Sequence, residues 1–281
     1  MKMKRYKLLL IGLLIVGCDK STEPQEGNNN HFIFPLTEGN YWIYEGSSHG
    51  ISQQGDTVFS AIFTDTIYVN GIYSDTNISD TLEIFEIEIR ESADIIKNTA
   101  NYTTGQGTYY EYVKNDGDGL YSYGYTNAGA TSVMIARKNE TIGTFYNNFF
   151  LSPYLQYNQI NDNDILWDGP LHVIKYPLEM GSSWTYRQLN NPLRMDRIVV
   201  DDDFIIDNGN EIFSTYKIEM LYDMDNDMIW DNDASEFMTY HSEVGIVMQT
   251  AEWSNTLPDD EDITIMHKKY LVLKEYNISN P

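Results

Sequence analysis

The chain has 281 residues, 42 of them acidic and 18 basic, for a net charge of −24, a mean hydropathy of −0.42 and a single cysteine. A field of that sign repels nucleic acid and anionic head groups and attracts divalent cations, which argues against a nucleic-acid partner. With one cysteine no intramolecular disulfide can form, so stability must come from packing.

The first seventeen residues read as a targeting signal. Lys2, Lys4, Arg5 and Lys7 precede an apolar run, Leu8 to Val16, broken only by Gly12. A stable transmembrane helix needs roughly 20 apolar residues, so this run is too short to span. Ile15-Val16-Gly17-Cys18 resembles the lipobox of bacterial lipoproteins, in which a small residue precedes a cysteine that is acylated and becomes the new N-terminus. The resemblance implies cleavage after Gly17 and a diacylglyceryl thioether and acyl amide, palmitate-type chains, on Cys18. Each buried methylene contributes about 0.8 kcal/mol, so several chains would hold the protein on a membrane almost permanently. Asp19 resembles the inner-membrane retention signal of enterobacterial lipoproteins, a rule that is not general, so both inner and outer membrane remain open.

Loss of the signal leaves 14 basic against 42 acidic residues, a balance of −28. Residues 18–31 carry the lipidated cysteine and a polar stretch with Pro24, Gly27 and three asparagines. Such a segment buries too little apolar surface to fold and reads as a tether.

The folded part opens on Phe34-Pro35-Leu36-Thr37-Glu38-Gly39-Asn40-Tyr41-Trp42-Ile43-Tyr44. Tyr176-Pro177-Leu178-Glu179-Met180-Gly181-Ser182-Ser183-Trp184-Thr185-Tyr186 repeats its aromatic, Pro, Leu, Gly, Trp and Tyr at the same spacing. The pattern predicts an internal repeat, each copy a Pro/Gly turn leading into a strand whose Trp and Tyr share one face. Core packing is the expected role of these aromatics.

Period-two patterning follows each opening. Phe85, Ile87 and Ile89 alternate with Glu86, Glu88 and Arg90, and strands at Tyr109–Val113 and Leu120–Tyr125 flank the turn residues Asn115 to Gly119. In the second half, Phe204–Ile206 and Ile212–Tyr222 flank Asp207 to Asn210, and strands run over Glu236–Thr250, interrupted at Gly245, and over Ile263–Tyr276. Phe145–Tyr157 is aromatic-rich, Asn158–Pro170 reads as an acidic loop, and no long amphipathic helix follows the signal. The expected class is all-β, with two tandem related antiparallel β modules at residues 32–168 and 169–281, as curved sheets, a sandwich or half-barrels. The FPL-x2-G-x2-W-x-Y module, with Val244-Gly245-Ile246-Val247 later, resembles one in uncharacterised bacterial envelope lipoproteins, some related to the curved sheets of lipoprotein and lipid carriers. The first half has Gly119-Leu120-Tyr121-Ser122-Tyr123 in place of that last element.

Three stretches bear on chemistry. Asp223, Asp225, Asp227, Asp231 and Asp233 lie in one acidic loop, where alternate carboxylates can converge on Ca²⁺, a cation that takes six to eight oxygens. The start fits the calcium-loop pattern, but Met228 stands where it needs Gly and Ala234 where it needs Glu. Gly46-Ser47-Ser48-His49-Gly50 satisfies G-x-S-x-G, yet neither a following helix nor βαβ alternation supports a nucleophile elbow at Ser48. His31, His49, His172, His241 and His267 lack metal-ligand spacing, and with 42 acidic residues any carboxylate pair can be chosen for glycoside chemistry. The 22 tyrosines read mainly as cross-strand packing residues. The expectation is a membrane-tethered lipoprotein of the cell envelope, facing periplasm or exterior, that needs no cofactor other than the Ca²⁺ of that loop. It would bind an envelope protein or an apolar or glycan ligand; a lipid-anchored hydrolase and a calcium-stabilised structural module are the alternatives.

Overall fold

The structure, a computed structural model, describes residues 33–73, 83–98, 102–103, 107–126, 133–137, 140–145, 165–188, 194–223, 227–231, 234–257 and 260–279. These residues form fifteen strands. In chain order they are β1 (Tyr41–Ser52), β2 (Thr57–Ile72), β3 (Phe85–Asn98), β4 (Tyr102–Thr103), β5 (Gly107–Asp116), β6 (Gly119–Thr126), β7 (Val133–Arg137), β8 (Glu140–Phe145), β9 (Ile165–Lys175), β10 (Ser183–Gln188), β11 (Arg194–Asp207), β12 (Ile212–Asp223), β13 (Ala234–His241), β14 (Gly245–Leu257) and β15 (Asp260–Asn277). The class is all-β, as the period-two patterning predicts. Twelve strands form one antiparallel sheet in the order β10-β11-β12-β13-β14-β15-β1-β2-β3-β5-β6-β9, and β4, β7 and β8 form a small second sheet. The two end strands, β9 and β10, are consecutive in the chain and lie side by side without ladder hydrogen bonds. The large sheet therefore curls almost into a barrel and leaves one seam.

First and last strands are neighbours: Trp42 of β1 faces Tyr276 of β15 across the ladder. Buried residues from Phe34 to Leu273 form one continuous cluster, drawn from both halves of the chain. Alternation does what the sequence requires of it on β3, where Ile87 and Ile89 are buried and the intervening Glu88 and Arg90 meet on the outer surface. The turns are fixed by short polar side chains. The Asp116 carboxylate accepts from Gly117 N at 2.8 Å, and Asn208 Oδ1 accepts from the amides of Asn210 and Glu211 at 2.8 Å each.

One stretch expected to be a loop is a strand. The Asn158–Pro170 stretch contains the start of β9, in which Ile165 and Leu166 pair with Tyr125 and Gly124 of β6. A long-range partner gives these apolar residues a ladder that local composition conceals. Residue 168 lies inside this strand.

A round barrel of about eight strands is just filled by side chains, so twelve strands need either large residues or a flattened section. Large residues are present: Trp42, Tyr44, Phe59, Phe63, Tyr186, Arg197, Tyr222 and Tyr240 are all fully buried.

At one end the two Pro/Gly corners meet and form a floor. Their turns share the same backbone bonds. Gly39 N donates to Val69 O and Asn40 N to Thr37 O, while Gly181 N donates to Val199 O and Ser182 N to Glu179 O. Gly39 and Gly181 both have φ near +80 to +90°, at +88° and +78°, a left-handed conformation that costs a side-chain-bearing residue energy. The corners also touch directly: Phe34 N donates to the Tyr176 hydroxyl at 2.9 Å, and that hydroxyl donates to Asn115 Oδ1 at 2.8 Å. Each tryptophan satisfies its indole N–H on a backbone carbonyl, Trp42 on Val244 O at 2.8 Å and Trp184 on His172 O at 3.0 Å. The aromatics of both corners are core, as expected.

Candidate functional site

Above this floor the inner face of the sheet changes character. Asp65 follows Phe63 on the inward phase of β2, Glu91 follows Ile89 on β3, Glu111 follows Tyr109 on β5, and Arg197 lies between Met195 and Val199 on β11. Strand alternation forces each of these charges inside, because its apolar neighbours two residues away are in the core. Asp65, Glu91, Glu111 and Arg197 are 2%, 5%, 0% and 0% exposed. Lys269 of β15 and Glu236 of β13 complete a charged belt, the first half-buried and the second buried.

The register sets who meets whom. Tyr44 lies opposite Asp65, and Asp65 in turn opposite Glu91, so two carboxylates face each other across a ladder. Like charges in that position repel. Burial pushes the Asp65 carboxyl up to about 6, against the pull of the Lys269 ammonium. Burial lowers Lys269 below the ordinary lysine value, while Asp65, Glu91 and Glu236 hold it up. The Tyr109 phenol is raised well above its usual value, first by burial and then by Asp65, Glu91 and Glu111. Glu236 accepts a 2.6 Å hydrogen bond from the Tyr222 hydroxyl.

Arg197 occupies the seam. Its Nη1 donates to Val173 O of β9, across the gap that β10 leaves unbonded. The guanidinium carbon sits 4.3 Å from the centre of the Tyr186 ring. Among the described residues, Arg197 Nε and Nη2, Asp65 Oδ1, the Tyr109 hydroxyl and Thr239 Oγ1 are buried without a hydrogen-bond partner. A buried polar atom left in that state costs roughly 1–3 kcal/mol, more when charged. Several such atoms in one interior set the belt apart from the floor and call for a partner that the described residues do not supply. Chemically the belt offers charged and hydroxyl-bearing anchors inside an aromatic wall, a combination suited to holding a ligand by a polar end.

The residues singled out from sequence lie elsewhere. Cys18, Asp225 and Asp233 fall outside the described residues. The Asp223 carboxylate accepts from Asp227 N at 3.1 Å and Met228 N at 3.2 Å, and Asp227 Oδ1 accepts from Ile229 N at 2.8 Å. Asp231 N donates to Tyr222 O at 2.7 Å. These contacts organise the β12–β13 loop, in which Met228 is held at φ +72°. Among the described residues no three His, Cys, Asp or Glu side chains converge as metal ligands. Ser48 stands in the middle of β1, opposite Ala61 and Lys269, and its neighbour His49 places Nδ1 3.0 Å from Ser60 Oγ. That is regular strand, not a strand-to-helix elbow.

No protein-family model and no curated protein match the chain. Two solved structures are similar to it in part. One is a protein provisionally named a lipoprotein, from Parabacteroides distasonis, at 14% identity and a TM-score of 0.34, covering 88% of this chain and 99% of its own. The other is provisionally named an exported protein with a YmcC-like fold, from Bacteroides fragilis, at 12% identity and a TM-score of 0.28, with the same two coverages.

Proposed function

We propose that this protein is a cell-envelope lipoprotein, held on a membrane through Cys18, which binds an apolar ligand inside its curled sheet and does not transform it. The observation that carries the reading is the charged belt. Its groups are costly to bury, two of them, Asp65 and Arg197, keep polar atoms without a hydrogen-bond partner among the described residues, and they stand above a floor whose own bonding is nearly complete. Proteins keep such groups where they serve recognition.

The lipobox supports the address. The chain joins the fold at Ile33, beside the floor, because Phe34 and Leu36 are part of it. A tether from Cys18 to Phe32 spans at most about 50 Å when fully extended. Glycan ligands fit the belt less well, since its walls are phenylalanine, methionine and tyrosine rather than a row of exposed amides and hydroxyls.

Two experiments test the reading. Labelled palmitate should enter the parent in bacterial cells and not a Cys18→Ser variant, which should appear in the soluble fraction; label in both would remove the anchor. Protein extracted from membranes and examined by native mass spectrometry should carry a non-covalent apolar mass that denaturation releases. Turnover of ester, glycoside or peptide substrates, lost on replacing one belt residue, would contradict the non-catalytic role.

A further inference from the structure

We propose that Arg197 is an oxyanion site: the guanidinium edge formed by Nε and Nη2 receives the carboxylate or phosphate head of an apolar chain, admitted through the seam between β9 and β10. This rests on the interior-binding reading and names the chemical class of its ligand.

The geometry of one side chain carries it. Arg197 is fully buried and its Nη1 is used, donating to Val173 O. Nε and Nη2 point together along the opposite edge and have no acceptor among the described residues. That edge is the planar two-donor fork that matches two oxygens of a carboxylate or phosphate, and it is the feature that distinguishes arginine from lysine. The Tyr186 ring covers one face of the guanidinium, which fixes its plane and leaves the fork as the free direction. The residues beside it on the ladder are apolar: Met220 lies opposite Arg197 on β12, Trp184 opposite it on β10, and Met195 and Val199 flank it on β11, while Glu111 and Glu236 act on the Tyr186 ring that covers it. An anion at the fork would meet the guanidinium with Glu111 and Glu236 competing for it, and the apolar flanks favour a head group that brings an apolar body with it.

The seam supplies the route. β9 and β10 are adjacent without ladder bonds; Trp184 Nε1 of β10 donates to His172 O of β9, and Arg197 Nη1 of β11 reaches past β10 to Val173 O. Separating the strands there breaks side-chain hydrogen bonds rather than a ladder. The same arginine thus fastens the seam when the interior is unliganded and greets whatever enters through it.

The probes are cis-parinaric acid, its methyl ester and inorganic phosphate, titrated into the signal-free protein at pH 7.5. Two charge-assisted hydrogen bonds are worth enough to expect the acid to bind at least about tenfold more tightly than the ester. Arg197→Met should abolish this preference, and Arg197→Lys, which keeps the charge and loses the fork, should retain only part of it. Acid and ester binding with equal affinity in the parent would overturn the role of Arg197 and leave interior binding standing. Failure of both lipids to bind, with no rise in melting temperature at 10 mM phosphate, a test concentration of about that order, would overturn both readings. The parent-only comparison does not depend on either variant folding.

Discussion

On β1, the step from Trp42 to Tyr44 crosses from one kind of interior to another. Trp42 belongs to the floor, where indole, hydroxyl and amide donors find acceptors and the surrounding side chains are apolar. Tyr44 lies opposite Asp65 at the base of the belt, where carboxylates, an ammonium and a guanidinium are gathered in the same dry space. Floor and belt are made by the same strands, so topology does not separate them. What separates them is the residue type placed on the inward phase. The floor spends its polar groups on closure, and the belt holds polar groups in reserve. His172 is the floor's exception: its Nε2 is buried without a hydrogen-bond partner among the described residues and fills the space a side chain at Gly119 would need, and burial lowers its pKa.

The contrast predicts opposite responses to substitution. The largest effect belongs to the floor: Trp42→Ala deletes a fully buried ring and its hydrogen bond, and should lower the unfolding free energy by about 3–5 kcal/mol in urea titration. A loss below about 1 kcal/mol would mean the floor is not a packed unit. Next comes Tyr176→Phe, which removes the hydroxyl shared between Phe34 N and Asn115. Leaving a buried amide unsatisfied should cost about 1–3 kcal/mol.

Belt substitutions should run the other way. The Asp65 carboxyl titrates near 6 in the folded protein, above the unfolded value of 3.8. A raised carboxyl pKa means that the fold prefers the neutral form. Its contribution is fully present below the unfolded value and is lost as pH rises through about 6. Asp65→Asn removes that loss. The variant should match the parent near pH 3.5, a round value taken at about the unfolded pKa, and melt at a higher temperature near pH 7. The groups that face Asp65 are Lys269, Glu91, Tyr109 and Tyr44, and Lys269 keeps Glu91 and Glu236 as counter-charges in the variant. A lower melting temperature at pH 7 would show that Asp65 is retained for its attraction to Lys269.

How much of this was readable before the structure also divides between floor and belt. The floor was legible because its signal is local: Pro, Gly, Trp and Tyr at fixed offsets dictate a corner and a strand, and the copy at residue 176 repeats the instruction. The hairpins at Asn115–Gly119 and Asp207–Asn210 were legible for the same reason. The belt was not, because its signal is a violation. Phe63-x-Asp65-x-Ile67 and Met195-x-Arg197-x-Val199 place a charge in phase with apolar residues, and the charge makes the strand look less like one. β2 escaped notice for that reason, although Phe63, Ile67 and Val69 share the inward phase with Asp65. A search for charges on the apolar phase of strands would have found Asp65, Glu91, Glu111 and Arg197. The acidic loop at Asp223 drew attention instead because its charges are close in sequence, whereas the belt's charges are brought together only by the curl of the sheet.

The central claim is that the belt is maintained for binding at a cost in stability. Urea unfolding at pH 7 of Asp65→Asn measures it most directly, since Asp65 lies opposite Glu91, the fold prefers its carboxyl neutral, and Lys269 stays in place for Glu91 and Glu236. The account predicts an unfolding free energy equal to or above the parent's, with an unchanged denaturant slope. A fall of several kcal/mol, about the size expected for the floor substitutions, would make the belt a structural element and contradict it.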